Sequence, residues 1–122
     1  MDAVAWAKAI RAQQVEADRQ CWREALRLTS LWRDRGAERV ILFGSAARHR
    51  ASPGSDLDLA VVMPGVDDVP VASRALEVLA VARPSVPVDL LVYSPAEWQR
   101  VQGRGFVRRE ICERGVTLYE RG

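Results

Sequence analysis

The sequence contains no long apolar run and only two cysteines. No apolar stretch approaches the ~18 residues that a membrane-spanning helix needs. The first four residues lack the basic stretch and apolar core of a secretory leader. Cys21 and Cys112 lie far apart without C-x-x-C spacing, which favours neither a zinc site nor a disulfide framework. We therefore expect a cytoplasmic protein with free thiols and no membrane association.

Lysine is almost absent as well. Lys8 is the only lysine, and the other seventeen basic residues are arginine. A GC-rich genome would explain this bias, and so would a surface suited to bidentate contacts with phosphate or carboxylate groups. The composition does not distinguish the two explanations. The net charge of +2 is too small to indicate a nucleic-acid coat, so no direct nucleic-acid binding is expected.

The length of 122 residues and the apolar share of 48% predict one globular domain with a real core. Residues 2–35 contain no Gly or Pro and carry apolar residues at helical spacing, although the polar stretch 13–20 could divide them into two helices. Ser94-Pro95 has the form of a helix start. Further helices are predicted at 69–83 and 106–114, and strands at 40–43, 56–62, 86–93 and 116–119.

This element order predicts an α/β or α+β fold with one small mixed sheet flanked by helices. Residues 1–36 would form an N-terminal helical arm, and residues 37–122 would form the core of the same single domain. In the helix predicted at 69–83, the side chains expected to face inward are Ala72, Leu76, Leu79 and Ala80.

Three aspartates lie in otherwise apolar strands. Asp56 and Asp58 are two residues apart, so both side chains point to one face of a strand while Leu57 points to the other. Two adjacent carboxylates repel each other unless a divalent cation bridges them. Asp89 on a later strand could complete an oxygen site for Mg²⁺ or Mn²⁺. The alternatives are an exposed sheet edge for the Asp pair and a buried arginine partner for Asp89.

A glycine–serine turn precedes these carboxylates. Gly44 and Ser45 end one strand and open a short helical turn, and Gly44 would let a ligand approach the backbone. The free N–H groups of the turn and the Ser45 hydroxyl could cradle an anion, and Arg48 could add donors to phosphate oxygens. The alternative for Ser45 is an ordinary helix cap. A phosphate cradle beside a metal-binding pair would suit a magnesium nucleotide.

The pattern of Gly44-Ser45, ten residues, Asp56-Leu57-Asp58 and a later Asp89 resembles the DNA polymerase β-type nucleotidyltransferase superfamily, and the run from Gly44 to Leu59 resembles its minimal, stand-alone branch. The resemblance covers residues 40–93 well and the rest weakly. It implies that Asp56 and Asp58 bind two Mg²⁺ ions, and that Asp89 completes the site and helps to take the acceptor's proton. The phosphates of ATP would be held by Gly44, Ser45, Arg48 and Ser55.

Minimal members of the superfamily resemble the antitoxin half of two-component systems, and their partner is a HEPN-type ribonuclease toxin that some of them adenylylate. The resemblance therefore implies transfer of AMP to a partner toxin. It is also compatible with an oligomer of this chain. The N-terminal arm, which carries Trp6, Trp22 and Trp32 among several arginines, could dock that partner, or its tryptophans could simply fill the core. Alternatives are a binding-only antitoxin and a small-molecule nucleotidyltransferase.

One position departs from the family pattern. Many minimal members carry glycine after the arginine of the turn, whereas this chain has His49 there. The substitution leaves the loop conformation and the role of Arg48 open. For His49, the only histidine, a solvated loop position is expected rather than a catalytic role.

Overall fold

The computed structural model describes residues 2–122. Within these residues there are five helices, one of them a π-helix, and four strands. The elements in chain order are α1 (Ala3–Asp34), β1 (Arg39–Phe43), α2 (Gly44–Ala47), β2 (Leu57–Val62), α3 (Val71–Ala82), β3 (Val88–Tyr93), α4 (Pro95–Val101), the π-helix (Val107–Glu113) and β4 (Val116–Glu120).

The four strands form one mixed sheet in the order β3-β2-β1-β4. The β1 strand pairs antiparallel with both β2 and β4, whereas β2 and β3 run parallel. A parallel pair needs a crossover, and α3 provides it. The prediction of a small mixed sheet flanked by helices is confirmed.

The α1 segment is one continuous helix and not two. Asp2 caps it, because its carboxylate accepts a hydrogen bond from the Ala5 N–H at 2.8 Å. The polar stretch 13–20 stays helical because it consists mostly of good helix formers and contains no Gly or Pro. The first half of the helix is largely exposed, Trp6 included, whereas its second half enters the core.

The second half of α1 belongs to the packing of the sheet. Its buried side chains include Cys21, Ala25, Leu28 and Trp32, which pack with the inward residues of β1 and β2. The Glu24 carboxylate accepts hydrogen bonds from Arg27 and from the Ser85 N–H, so it ties α1 to the loop before β3. The helix therefore extends from the core into the solvent without a break.

The opposite face of the sheet carries a smaller core. Ile41, Phe43, Ala60 and Val62 pack there against Trp98 of α4 and Ile111 of the π-helix. Asp58 alternates with Leu57 and Leu59, so its side chain lies on this second face, at the edge of the smaller core. The two cores fix the sheet from both sides.

The predicted inward face of α3 is wrong for three of four residues. Ala72, Leu76 and Ala80 are exposed, and Leu79 is partly buried. Apolar residues occur around almost the whole helix, so periodicity does not select one face. A buried Arg74 occupies the inward face instead.

Arg74 links α3 to β3 and α4. Its guanidinium donates to the carbonyl oxygens of Val69 and Val92 at 3.0 and 3.3 Å and to the Glu97 carboxylate at 2.6 Å. Glu97 also completes the capping box with Ser94 that starts α4, which confirms the helix start predicted from Ser94-Pro95.

None of the helices within residues 2–122 has the length and apolarity needed to cross a membrane.

Candidate active site

The end of the sheet where β2 and β3 begin carries the three predicted aspartates. Asp58 lies opposite Phe43 of β1 and beside Asp89 of β3 in the strand register. Asp56 immediately precedes β2. The fold thus places these carboxylates, from two strands, beside the end of β1 and the Gly44 turn that follows it.

The three carboxylates differ in exposure. Asp58 is half-buried, whereas Asp56 and Asp89 are exposed. Burial, and after it the negative charges of Asp89 and Asp56, together raise the pKa of Asp58 from its ordinary 3.8 to about 6. Asp89 is the second residue of β3 and is not a buried partner of an arginine. Within residues 2–122 no hydrogen bond or ion pair neutralises any of the three side chains.

This donor set fits a hard divalent cation in its chemistry. Carboxylate oxygens are the ligands that Mg²⁺ and Mn²⁺ prefer, and the mutual repulsion around Asp58 is what a cation would relieve. The described residues do not, however, hold three ligating side chains already gathered around one point. A bound ion would have to draw the exposed Asp56 and Asp89 side chains towards Asp58.

Gly44 packs directly on the Asp58 carboxylate. Its φ of +72° lies in the left-handed region, and a Cβ at this position would overlap the carboxylate, with the Asp58 Cγ only 2.9 Å away. Both the backbone conformation and the space require glycine. The missing side chain leaves the approach to Asp58 open from the direction of the turn.

We expect Gly44→Ala to impair the site and the fold together. The left-handed φ and the overlap with Asp58 should cost about 1–3 kcal/mol of the free energy of unfolding. Urea unfolding measures this loss. Gly54→Ala is the matched control, because Gly54 has a similar φ of +83° but open space around it. Equal losses for the two variants would contradict a specific contact between Gly44 and Asp58.

The turn after Gly44 is where the sequence predicts an anion cradle. The α2 helix is a single turn, and its capping residue Phe43 makes no side-chain hydrogen bond to it. The N–H groups at its start therefore have no side-chain cap, and Ser45 is half-exposed beside them. The alternative of Ser45 as the N-cap is wrong, since Ser45 lies inside the helix. The phosphate role of Gly44 and Ser45 remains a prediction.

Two predicted phosphate ligands are engaged elsewhere. Arg48 donates to the Glu110 carboxylate of the π-helix at 2.9 Å. The Ser55 hydroxyl accepts a hydrogen bond from the Ser52 N–H at 3.0 Å, so it orders its own loop. Neither residue lines the cavity that contains Asp58 and Asp89. Their contacts with phosphate remain predictions.

His49 adopts the left-handed conformation that favours glycine, with φ of 55°. Its ring stacks on Trp22 of α1 with the centroids 5.0 Å apart, and its Nδ1 lies 3.0 Å from the Asp18 carboxylate. Trp22 in turn donates to the Ala46 carbonyl at 2.8 Å. The turn thus keeps its glycine-like geometry because α1 holds it. The exposed His49 bonds to Asp18 and not to the three carboxylates of the site.

A cavity of about 430 Å³ lies between the carboxylates and the π-helix. On the side of the carboxylates it is lined by Phe43, Gly44, Asp58 and Asp89, and on the side of the π-helix by Phe106, Arg109 and Glu110. Sequence reasoning missed this second wall, because it read residues 106–114 only as a helix. The one available signal was an aromatic residue directly after Gly105, at the start of that helix.

Comparison with known proteins identifies the family and supports the fold. The model of the family described as "Nucleotidyltransferase domain" matches residues 25–117. A crystal structure from Sulfolobus solfataricus, of a protein provisionally assigned as a nucleotidyltransferase, has the same fold with a TM-score of 0.63. It is 22% identical to this chain, and the match covers 89% of this chain and 88% of the other. A search of curated proteins finds no significant match.

Proposed function

Because the chain belongs to the nucleotidyltransferase domain family, we propose that it is a Mg²⁺-dependent enzyme that moves AMP from ATP to a hydroxyl acceptor. The observation that carries this proposal is the grouping of Asp58 and Asp89 on adjacent strands, with Asp56 beside them and Gly44 against Asp58. Their charges are uncompensated within the described residues. A magnesium nucleotide would supply both the missing cations and an anion for the turn.

The proposed reaction is an in-line displacement at the α-phosphorus. The acceptor oxygen forms a bond to the α-phosphorus, the bond from that phosphorus to the bridging oxygen breaks, and pyrophosphate leaves. Two Mg²⁺ ions, held by Asp56, Asp58 and Asp89, would stabilise charge on the attacking and leaving oxygens. Asp89 is exposed at the mouth of the site and accepts the proton of the acceptor hydroxyl.

The turn holds the departing phosphates in this proposal. The N–H groups at the start of α2 and the Ser45 hydroxyl donate to the β- and γ-phosphate oxygens. Arg48 uses one guanidinium nitrogen for Glu110, and a guanidinium has five N–H donors, so it can bind phosphate without leaving that partner. Ser55 would need to release its bond with Ser52 to take part.

The acceptor we propose is a partner protein, a HEPN-type ribonuclease toxin that this chain neutralises as an antitoxin. The support is the sequence resemblance together with the first half of α1, which extends away from the core. Trp6 there is 59% exposed, and large exposed aromatic residues are typical of protein interfaces. Basic residues accompany it along the helix.

The test uses ATP labelled at the α-phosphorus, Mg²⁺ and a lysate of the source cells, with the wild type compared with Asp58→Asn. Label on one small protein, with the wild type only, supports the whole proposal. Label in RNA or in a small metabolite would support the nucleotidyltransferase activity and would contradict a protein acceptor. No label anywhere, with a well-folded protein, overturns catalysis and favours an antitoxin that acts by binding alone.

A further inference from the structure

The wall of the cavity opposite the carboxylates contains an aromatic ring and a guanidinium group. Phe106, which directly precedes the π-helix, lines it together with Arg109 and Glu110 of that helix. The Glu110 carboxylate is already paired with Arg48 and Arg114. At about 430 Å³ the cavity is within the usual size range of small-ligand sites. A nucleotide bound at the carboxylates would extend into this space, so the wall has to accommodate whatever is attached to the phosphates.

Phe106 presents an open aromatic surface. Its ring meets the Phe43 ring nearly at right angles, at 83°, with the centroids 6.0 Å apart. This contact holds the ring beside the cavity, yet half of the residue stays exposed. An exposed aromatic residue that lines a cavity is suited to stack on a flat ligand.

Arg109 is the cation of this wall. Three arginines near it have partners: Arg48 and Arg114 bind Glu110, and Arg108 binds Glu113. Arg109 makes no ion pair or side-chain hydrogen bond to any of residues 2–122. Its donors are therefore available to an anion in the cavity.

The wall is fixed relative to the carboxylates. Glu110 accepts hydrogen bonds from Arg48 at 2.9 Å and from Arg114 at 3.3 Å, and the first of these joins the π-helix to the turn after Gly44. Ile111 is fully buried in the smaller core and anchors the other side of the helix. A π-helix is rare and is frequently found at functional sites.

We infer that this wall binds the nucleoside triphosphate: Phe106 stacks on the base, and Arg109 donates to the phosphate oxygens. The inference rests on the proposed function and adds to it the residues that bind the nucleotide. A nucleotide combines one flat, weakly polar face with an anionic chain, which is the pair of chemistries that the wall offers. A stacked Phe106 ring contacts the face of the base and not its hydrogen-bonding edges. It therefore contributes affinity for the nucleotide rather than selectivity among bases.

The test measures binding by calorimetry with two probes, Mg²⁺-ATP and Mg²⁺-tripolyphosphate, which lacks a nucleoside. Phe106→Ala should weaken ATP binding about tenfold or more and leave tripolyphosphate binding unchanged. Arg109→Gln should weaken the binding of both probes. Phe106→Leu keeps an apolar side chain without an aromatic face, so it should bind ATP weakly. Phe106→Trp keeps an aromatic face, so it should bind ATP like the wild type.

Two exposed residues away from the cavity serve as controls. Leu76→Ala on α3 and Arg104→Gln before the π-helix should leave the binding of both probes unchanged. If the wild type binds neither probe, the proposed function fails. If it binds both, and folded Phe106 variants bind ATP like the wild type, the proposed function survives and the inference is overturned. Unchanged binding in Arg109→Gln overturns the role of Arg109 in the same way.

Discussion

Replacing Asp58 by asparagine is expected to reduce nucleotidyl transfer about a thousandfold or more and to leave the fold intact. The side chain is the half-buried member of the three carboxylates and would ligate the ions that stabilise the transition state. Loss of such a ligand removes several kcal/mol of that stabilisation, and each ~1.4 kcal/mol is a factor of ten in rate. In the absence of metal, the same change removes like-charge repulsion with Asp89 and Asp56.

The melting temperature of Asp58→Asn without metal should therefore equal or exceed that of the wild type. Magnesium with ATP should raise the melting temperature of the wild type by mass action and that of the variant much less. Asp67→Asn is the matched control, because Asp67 is an exposed aspartate in the loop before α3. Transfer by Asp58→Asn at the wild-type rate, or a clearly lower melting temperature, would contradict the account.

Glu97→Ala is expected to cost about 3–5 kcal/mol of the free energy of unfolding. Its partner Arg74 is only 3% exposed, so the variant would leave a buried guanidinium without its carboxylate. The change also removes one half of the capping box of α4. Urea unfolding measures the loss. Glu113→Ala, which removes an exposed pair with Arg108, should cost less than about 1 kcal/mol.

The contribution of Glu97 should also depend on pH in one direction. Hydrogen bonds from Arg74 and Ser94 lower the pKa of Glu97 from 4.5 to about 2 in the folded protein. A lowered folded-state pKa gives stability that is fully present above pH ~4.5 and is lost as the pH falls towards 2. The stability gap between the wild type and Glu97→Gln should therefore be largest above pH ~5 and close on acidification. A gap that widens in acid would contradict this assignment.

The sequence predicts the carboxylate end of the site because its parts are close together in the chain. Gly44 directly follows β1, and Asp56 and Asp58 lie at the start of its antiparallel neighbour β2. Strand alternation, which follows from the strand period alone, puts Asp58 on the face opposite Leu57. The place of Asp89 beside Asp58 depends instead on the parallel pairing of β2 with β3, and no local pattern predicts that pairing.

Contacts between distant segments are where the sequence prediction fails. The sequence prediction of the inward face of α3 is wrong because apolar residues occur around almost the whole helix. A buried arginine, bound to Val92 and Glu97, also lies on the true inward face. No local pattern indicates that Arg48 binds Glu110 or that Phe106 meets Phe43. The glycine-like turn at His49 likewise depends on Trp22 and Asp18 of α1, far away in the sequence.

The most direct test of the central claim compares the fate of two phosphorus atoms. The protein is incubated with Mg²⁺, the acceptor-containing lysate and ATP labelled at either the α- or the γ-phosphorus. Nucleotidyl transfer at the carboxylates predicts that the α-label enters the acceptor while the γ-label leaves as pyrophosphate, and that Asp58→Asn transfers neither. Entry of the γ-label without the α-label would mean phosphoryl transfer and would contradict the account.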